Sequence, residues 1–237
     1  MAITTVMFDL DGTLLPMDLD VYLGYYFKLL IQKLAPYGYD PKKITDSIEY
    51  AVAAMVENDG SRTNEEAFWD SHRRVMGEDA DSSRPLLEEF YRNEFQEVKA
   101  VCGSMPEAKE ILEFCRSKGL QIILATSPLY PRVATESRIR WAELQPEDFD
   151  YITTYEDSHH CKPNPDYYRE ILKKLNLSAQ ECLMIGNDVR EDMIAKSVGM
   201  EVFLLPKYLI NRDNEDISRY PNGNLDDLKT YIEKILG

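Results

Sequence analysis

Two acidic residues, Asp9 and Asp11, lie two positions apart directly after an apolar run at residues 3–8. Side chains two positions apart in an extended chain point to the same side, so both carboxylates are expected to face one pocket. The following Gly12 permits a sharp turn. Neighbouring carboxylates repel one another without a cation or a shared proton, and such oxygen ligands suit magnesium. The pattern indicates a magnesium-binding pocket; an Asp-Gly turn opening a surface loop is the alternative.

Two further segments carry groups that can bind phosphate. Thr126 and Ser127 follow an apolar run at residues 120–125, where a hydroxyl group and the neighbouring main-chain amides can hydrogen-bond a phosphate oxygen. Lys162 precedes a proline, and an ammonium group on a fixed turn supplies a point charge to phosphate. Taken singly, each segment also fits an ordinary loop, as a Thr-Ser-Pro turn or as a solvated surface lysine.

A second pair of acidic residues follows the apolar run at residues 182–185. Asp188 comes shortly after this run, and Asp192 lies four residues further on, which is about one helical turn. A carboxylate at this strand end can complete the magnesium site that Asp9 begins. Alternatively, Asp188 caps an acidic helix start, where the helix dipole favours a negative charge. The two roles are compatible.

The apolar runs predict the scaffold that positions these residues. Runs of large and β-branched apolar residues are typical of strands covered on both faces, and they occupy residues 3–8, 120–125, 182–185 and 201–205, with a weaker run at 149–153. Helical patterns separate them, with Ser104, Asn164 and Asn224 as predicted N-caps. This alternation predicts an α/β fold with a doubly wound parallel sheet. Ligands in such sheets bind outside the carboxyl ends of the strands.

Residues 17–100 interrupt the alternation and show helical patterns only. Two apolar stripes have helical spacing, and their members are Ile44, Ile48, Ala51, Val52 and Met55 in the first and Leu87, Phe90, Tyr91, Phe95 and Val98 in the second. We expect an all-helical subdomain that sits over the sheet. Tyr22, Tyr25 and Tyr26 are predicted to pack in its interior, with a position at the opening of the site as the alternative.

Composition narrows the class of protein. The chain has 237 residues, 44% hydrophobic and 29% charged, which is typical of one large domain or of a core domain with an insert. No run of about 18 apolar residues indicates a transmembrane helix, and the N-terminus lacks the basic start of a signal peptide. Four scattered cysteines without a Cys-x-x-Cys pair predict reduced thiols in a cytoplasmic protein.

The formal net charge of −15 makes nucleic acids and anionic membranes improbable partners, because both require a positive field. The same charge repels a phosphorylated substrate at long range. A phosphate site in this chain must therefore depend on local cations, including a metal ion.

This chain resembles the haloacid dehalogenase-like hydrolase superfamily, because it has residues that match the four motifs of that superfamily in the same order. The matching residues are Asp9, Asp11, Thr126, Lys162, Asp188 and Asp192. The chain is similar to the phosphatase branch of that superfamily, in which a helical cap follows the first motif. The resemblance implies a Rossmann-like core of residues 1–16 and 101–237, with a helical cap at residues 17–100.

The resemblance also implies a role for each motif residue. Asp9 would be the nucleophile that forms an aspartyl-phosphate, and Asp11 would be the general acid and then the general base. Thr126 and Ser127 would hold the phosphoryl oxygens. Lys162 would neutralise the phosphate and orient the nucleophile. The implied activity is hydrolysis of a small phosphorylated metabolite.

The implied cofactor is Mg²⁺, bound by the Asp9 carboxylate, the Asp11 main-chain carbonyl and Asp188, with Asp192 in support. Mg²⁺ and a lysine would also be the local cations that the net charge calls for. In many members an aspartate directly follows the motif's glycine, whereas here Asn187 intervenes. The four-residue spacing nevertheless favours Asp188 and Asp192 as the matching pair.

Other functions remain open on sequence alone. A phosphomutase of the same superfamily requires residues in the helical stretch that bind a second phosphate, and its lysines and arginines do not stand out from solvated helix faces. A non-catalytic phosphate-binding module is a further alternative, although every motif residue is in place. Asp11 argues against dehalogenation, because similar dehalogenases lack this acid. A two-component receiver domain is much shorter. The sequence does not define the oligomeric state.

Overall fold

Five short strands form one parallel sheet in the computed structural model, which describes residues 2–237. The strands are β1 (Thr5–Phe8), β2 (Gln121–Leu124), β3 (Tyr151–Ile152), β4 (Cys182–Gly186) and β5 (Glu201–Leu204). Their order is β3-β2-β1-β4-β5, and all neighbouring pairs are parallel. The five predicted strands are confirmed; most are one or two residues shorter than the apolar runs.

The stretch between β1 and β2 is helical, as predicted. It contains α1 (Leu19–Leu34), α2 (Pro41–Val56), α3 (Asn64–Met76) and α4 (Asp79–Arg92), with 3-10 turns at Ala35–Tyr37 and Glu94–Val101. The second predicted stripe is buried along its whole length, but the helix ends at Arg92 and the chain continues as 3-10 helix. We name residues 17–100 the helical block.

The remaining helices cover both faces of the sheet. They are α5 (Glu107–Ser117), α6 (Arg132–Trp141), α7 (Pro165–Leu175) and α8 (Leu225–Leu236). Val6 and Phe8 of β1 point into an apolar cluster shared with α5, α6, α8 and the helical block. Met7, on the opposite face of the strand, joins a second cluster with α7. Because successive side chains of a strand point to opposite faces, this division confirms the doubly wound α/β fold.

Local capping follows the sequence at two of the three predicted sites. The Asn164 side chain accepts a hydrogen bond from the main-chain N–H of Asp166, and Asn224 forms a capping box with Asp227. The prediction that Ser104 caps α5 is wrong. This helix begins after Pro106, and the Ser104 hydroxyl donates to Glu143 instead.

The two ends of the helical block lie side by side. Met17 and Cys102 pair in an antiparallel bridge, and the Gly103 N–H donates to the Pro16 carbonyl over 2.7 Å. The chain therefore leaves the sheet and returns to it at one place, close to the end of β1. Within residues 2–237, none of the helices has the length and apolar character required to span a bilayer.

Candidate active site

The first and second motifs and the acidic segment meet at the carboxyl edge of the sheet. β1 lies between β2 and β4, so the residues that follow these three strands are neighbours. The ladder continues past the strand ends, because the Asp9 N–H donates to the Ile185 carbonyl over 2.9 Å and the Ala125 N–H donates to the Phe8 carbonyl over 2.7 Å. These bonds fix the main chain beneath Asp9.

Lys162 reaches this edge from the segment before α7. Its Nζ donates to Asp9 Oδ1 over 2.9 Å and to Asp192 Oδ1 over 2.7 Å, and the side chain is 1% exposed. Burial alone lowers the pKa of this lysine, but the charges of Asp192 and Asp9 outweigh it and hold the pKa well above its ordinary value. Lys162 is therefore a charged ammonium group in contact with the predicted nucleophile.

Asp192 links this lysine to the segment after β4. Its Oδ2 accepts the main-chain N–H of Asp188 over 2.9 Å, while Oδ1 accepts from Lys162. Burial raises the pKa of Asp192 and the lysine charge opposes this shift. The carboxylate thus holds both the Lys162 ammonium group and the turn that begins at Asp188.

Asp188 sits at the head of that turn. Its Oδ1 accepts the main-chain N–H groups of Arg190 and Glu191 over 2.8 and 2.9 Å, so the predicted capping interaction is present in a tight turn. Among residues 2–237, no lysine or arginine forms an ion pair with Asp188. Burial raises the pKa of Asp188; the two main-chain hydrogen bonds and the charge of Arg212 oppose the rise, and the Asp9 charge adds a smaller increase. A pair of carboxylates in this arrangement favours a bound cation.

The predicted magnesium ligands fit a hard cation. The donors are carboxylate oxygens of Asp9 and Asp188 and the main-chain carbonyl of Asp11, which accepts no hydrogen bond from the described residues. No group of three or more His, Cys, Asp or Glu side chains in residues 2–237 is arranged to hold a metal ion. The predicted magnesium site has only two such side chains, Asp9 and Asp188, and its third ligand is a main-chain carbonyl.

Thr13 and Asn187 brace the loop after β1, and sequence patterns did not single them out as partners. The Thr13 hydroxyl lies 2.9 Å from Asn187 Oδ1 and 3.3 Å from Asp9 Oδ2. Asn187 Nδ2 donates to the Tyr208 carbonyl over 2.6 Å. Gly12 has a φ of +81° and packs directly against the Asn187 amide. The additional Asn187 in the last motif therefore connects the loop after β1 with the segment that contains Tyr208 through side-chain hydrogen bonds.

Thr126 and Ser127 lie at the end of β2, as predicted. Thr126 is buried, and its main-chain carbonyl accepts hydrogen bonds from the Tyr167 and Thr153 hydroxyls over 2.9 and 2.6 Å. The Ser127 hydroxyl is buried and has no hydrogen-bond partner among the described residues. The main chain at Thr126 is therefore fixed, and the phosphate contact of Thr126 and Ser127 stays a prediction.

Asp11 has a partner that sequence patterns did not reveal. Its Oδ2 accepts a charge-assisted hydrogen bond from Arg138 Nη1, which comes from α6. Burial raises the pKa of Asp11, and the guanidinium charge opposes the rise. Arg138 belongs to a helix with several charged residues, in which nothing distinguishes one buried arginine from solvated neighbours.

The tyrosines after the first motif pack as predicted. Tyr22 and Tyr26 are buried in the apolar cluster, and Tyr25 packs against it with partial exposure. The Tyr26 hydroxyl lies 2.9 Å from the Tyr91 hydroxyl. Interior packing is therefore confirmed for Tyr22 and Tyr26.

We expect Gly186→Ala to damage the site through Asp192. The added Cβ would lie 2.7 Å from the Asp192 Cβ and would overlap its carboxylate. Overpacking of this kind costs about 1–3 kcal/mol of unfolding free energy, and a displaced Asp192 releases both Lys162 and the Asp188 turn. Urea denaturation and hydrolysis of an aryl phosphate measure the two effects.

The matched control is Gly24→Ala in α1, where the added Cβ meets no atom within 4 Å. Alanine favours a helix interior over glycine by about 1 kcal/mol, so this variant should be at least as stable as the parent. Parental activity in Gly186→Ala would show that Asp192 does not need its present position.

Comparisons with known proteins identify the family of the chain. A family model described as haloacid dehalogenase-like hydrolase matches residues 3–199. A phosphorylated carbohydrates phosphatase from Thermotoga maritima is 27% identical over 200 residues, which is 83% of this chain and 82% of that protein.

Two solved structures share the fold over nearly the whole chain. A 2-haloacid dehalogenase from Pseudomonas syringae pv. Tomato has a TM-score of 0.64 and 18% identity, covering 98% of this chain and 99% of its own. A HAD phosphatase from Thermococcus onnurineus has a TM-score of 0.58 and 19% identity, covering 97% and 98%. These identities support the Rossmann-like fold alone, whereas the family model adds membership. The chain therefore belongs to the haloacid dehalogenase-like hydrolase family.

Proposed function

We propose that this hydrolase is a Mg²⁺-dependent phosphatase that cleaves a small phosphate monoester through an aspartyl-phosphate on Asp9. One observation carries the proposal. Asp9 stands at the carboxyl end of the central strand with Lys162 on one of its oxygens, and two further acids, Asp11 and Asp188, follow this strand and its neighbour. The T. maritima relative is named a phosphatase of phosphorylated carbohydrates, which supports a small phosphorylated metabolite as the substrate.

The residues divide the reaction into two displacements. A carboxylate oxygen of Asp9 forms a bond to phosphorus, the electron pair of the breaking P–O bond goes to the ester oxygen, and Asp11 gives that oxygen a proton. Asp11 then takes a proton from water, which attacks phosphorus and frees Asp9 and inorganic phosphate. Splitting one displacement into two lowers each barrier, and proton transfer by a positioned side chain adds about 10²–10⁴-fold in rate.

The remaining groups stabilise the transferred phosphoryl group. Thr126 and Ser127 donate hydrogen bonds to its oxygens, and the ammonium group of Lys162 offsets its charge. Mg²⁺ would be held by Asp9, the Asp11 carbonyl and Asp188, where it offsets further negative charge on the phosphoryl oxygens. In a chain of net charge −15, these local cations make binding of an anionic substrate feasible.

We further propose that the helical block, residues 17–100, acts as a cap that covers the carboxyl edge. Its two ends meet at the Met17–Cys102 bridge, a short distance along the chain from Asp11. A cover of this kind excludes water before phosphoryl transfer and selects the leaving group.

Removal of the metal tests the proposal directly. The purified protein with Mg²⁺ should release inorganic phosphate from 4-nitrophenyl phosphate, and excess EDTA should lower the rate by at least about 10²-fold because the charge on the phosphoryl group is then unbalanced. Activity should return when Mg²⁺ is added beyond the chelator. Undiminished hydrolysis in EDTA would contradict the metal requirement.

The products distinguish the alternatives. A phosphatase releases one inorganic phosphate for each ester consumed, whereas a mutase converts a sugar phosphate into its isomer without net release. A binding module would retain phosphate affinity without turnover. Phosphate release measured over a panel of phosphorylated metabolites also identifies the substrate class.

A further inference from the structure

Arg138 is a charged residue in a position almost closed to solvent. Its side chain is 1% exposed, and it is the largest of the fully buried side chains. Arginine is rarely buried to this extent without a partner. Its ion-pair partner in the described residues is Asp11, the proposed general acid.

Several contacts fix the guanidinium group. Nη1 donates to Asp11 Oδ2, and Nη2 lies 3.4 Å from the Thr135 hydroxyl. The guanidinium carbon lies 4.3 Å from the ring centroid of Tyr130, within the range of a cation–π interaction. A guanidinium held at its edge and on its face has little rotational freedom, so it can hold a carboxylate in one orientation.

The helix that carries Arg138 is itself anchored. The Ser137 hydroxyl accepts a hydrogen bond from Gln96 Nε2 over 2.8 Å, and the Trp141 ring nitrogen donates to Gln96 Oε1 over 3.4 Å. Gln96 belongs to the helical block, so α6 is tied to that block on both sides of Arg138. A supported helix positions a side chain more accurately than a free loop does.

The two oxygens of Asp11 have different surroundings. Oδ2 faces Arg138, and a guanidinium group has donors but no acceptor, so Oδ2 can only accept at this contact. Oδ1 is buried and has no hydrogen-bond partner in residues 2–237. Buried polar atoms are normally paired, so among the described residues the bond from Arg138 is the one hydrogen bond that fixes the Asp11 carboxyl group.

We propose that Arg138 is a positioning residue, which holds Asp11 through Oδ2 in the orientation from which its carboxyl group gives the proton to the leaving ester oxygen. This role rests on the phosphatase function proposed above. As Asp9 forms its bond to phosphorus, the electron pair of the breaking P–O bond goes to the ester oxygen, and the proton moves from the Asp11 carboxyl group to that oxygen. Arg138 touches neither atom of the breaking bond and acts through Asp11 alone.

Two aryl esters of similar shape separate this role from a structural one. 4-Nitrophenolate leaves readily without a proton, whereas phenolate depends strongly on the acid. We expect Arg138→Met to lower kcat/KM about 100-fold on phenyl phosphate and at most about threefold on 4-nitrophenyl phosphate, because misplacement of a proton donor costs about 10²-fold. Equal losses on the two esters would overturn the proposal.

Two further variants protect the test against a folding defect. Arg138→Lys retains a positive charge and a donor, and it should recover part of the loss on phenyl phosphate. In the double variant Asp11→Asn/Arg138→Met, no buried charge is left unpaired, and the activity on phenyl phosphate should equal that of Asp11→Asn alone. An additional loss in the double variant would show that Arg138 acts elsewhere and would overturn the proposal.

Arg140→Met is the matched control, since Arg140 lies on the same helix with its side chain 51% exposed and paired with Glu136. It should hydrolyse both esters at the parental rate; a selective loss on phenyl phosphate in this variant would contradict a local role for Arg138. If the unaltered protein hydrolyses neither ester, the phosphatase function itself fails. If it hydrolyses both and the Arg138 variants lose them equally, only the positioning role fails.

Discussion

Asp9→Asn should lower the rate of phosphate ester hydrolysis by at least about 10⁴-fold, which is the effect of losing a covalent nucleophile from an enzyme. The amide is nearly isosteric with the carboxylate but is a far weaker nucleophile. Its carbonyl oxygen can still accept the hydrogen bond that Lys162 donates to Oδ1 over 2.9 Å. The packing of the site is therefore expected to survive while the reaction stops.

The measurement is phosphate release from 4-nitrophenyl phosphate with saturating Mg²⁺, accompanied by thermal unfolding. Asp213→Asn is the matched control, because Asp213 is exposed and the substitution removes the same charge. It should keep the parental rate. Parental activity in Asp9→Asn, with a folded protein, would remove Asp9 as the nucleophile and with it the proposed mechanism.

Lys162→Met should reduce both stability and activity. The lysine is 1% exposed and forms ion pairs with two carboxylates, Asp9 and Asp192. Removing one partner of a buried ion pair costs about 3–5 kcal/mol, because the remaining charge has neither water nor a counter-ion. Activity should fall by at least about 10³-fold, as loss of one donor to the developing charge alone costs about 10²–10³.

The loss of stability should depend on pH. Burial raises the pKa of Asp192, and without Lys162 the opposing charge is gone, so its folded pKa rises further. A carboxyl group with a raised folded pKa binds its proton more tightly in the native state. The stabilising contribution of Asp192 to the free energy of unfolding is therefore fully present below the ordinary carboxyl pKa of about 3.9. It is lost as pH rises through the pKa of Asp192 in the folded protein.

Urea denaturation of Lys162→Met at several pH values tests this dependence. The loss of unfolding free energy relative to the parent should be largest at neutral pH and should become smaller as the pH falls and Asp192 becomes protonated. Lys42→Met is the control, because the Lys42 side chain is 80% exposed and solvent screens its ion pair with Asp46, so this variant should be nearly as stable as the parent. A deficit in Lys162→Met as small as that of the control would contradict a central electrostatic role.

Elements with a strong local signal were predictable. Each buried strand is a continuous apolar run, and Asn164 and Asn224 both precede helices that they cap. The edge that gathers Asp9 and Asp188 follows from parallel strand order, because neighbouring strands bring their carboxyl ends together. These features depend on periodicity and on turn chemistry, which a single sequence contains.

Other features depend on tertiary contacts and had no local signal. Ser104 has the right residue type for a cap, but its hydroxyl is taken by Glu143, which is far away in the chain. Arg138 resembles Arg140 in sequence, and only the packing of α6 decides which of the two is buried beside Asp11. The bond between Thr13 and Asn187 joins residues 174 positions apart.

The Met17–Cys102 bridge has a consequence for how such a protein can diversify. The chain leaves the sheet and returns to it at one hydrogen-bonded site, where the Gly103 N–H donates to the Pro16 carbonyl. The strand order of the sheet is therefore independent of the helical block that lies between these two points. An inserted segment of different length or shape can replace the helical block without changing the order of the strands that position the nucleophile. Selectivity and catalysis can then evolve on separate parts of one polypeptide.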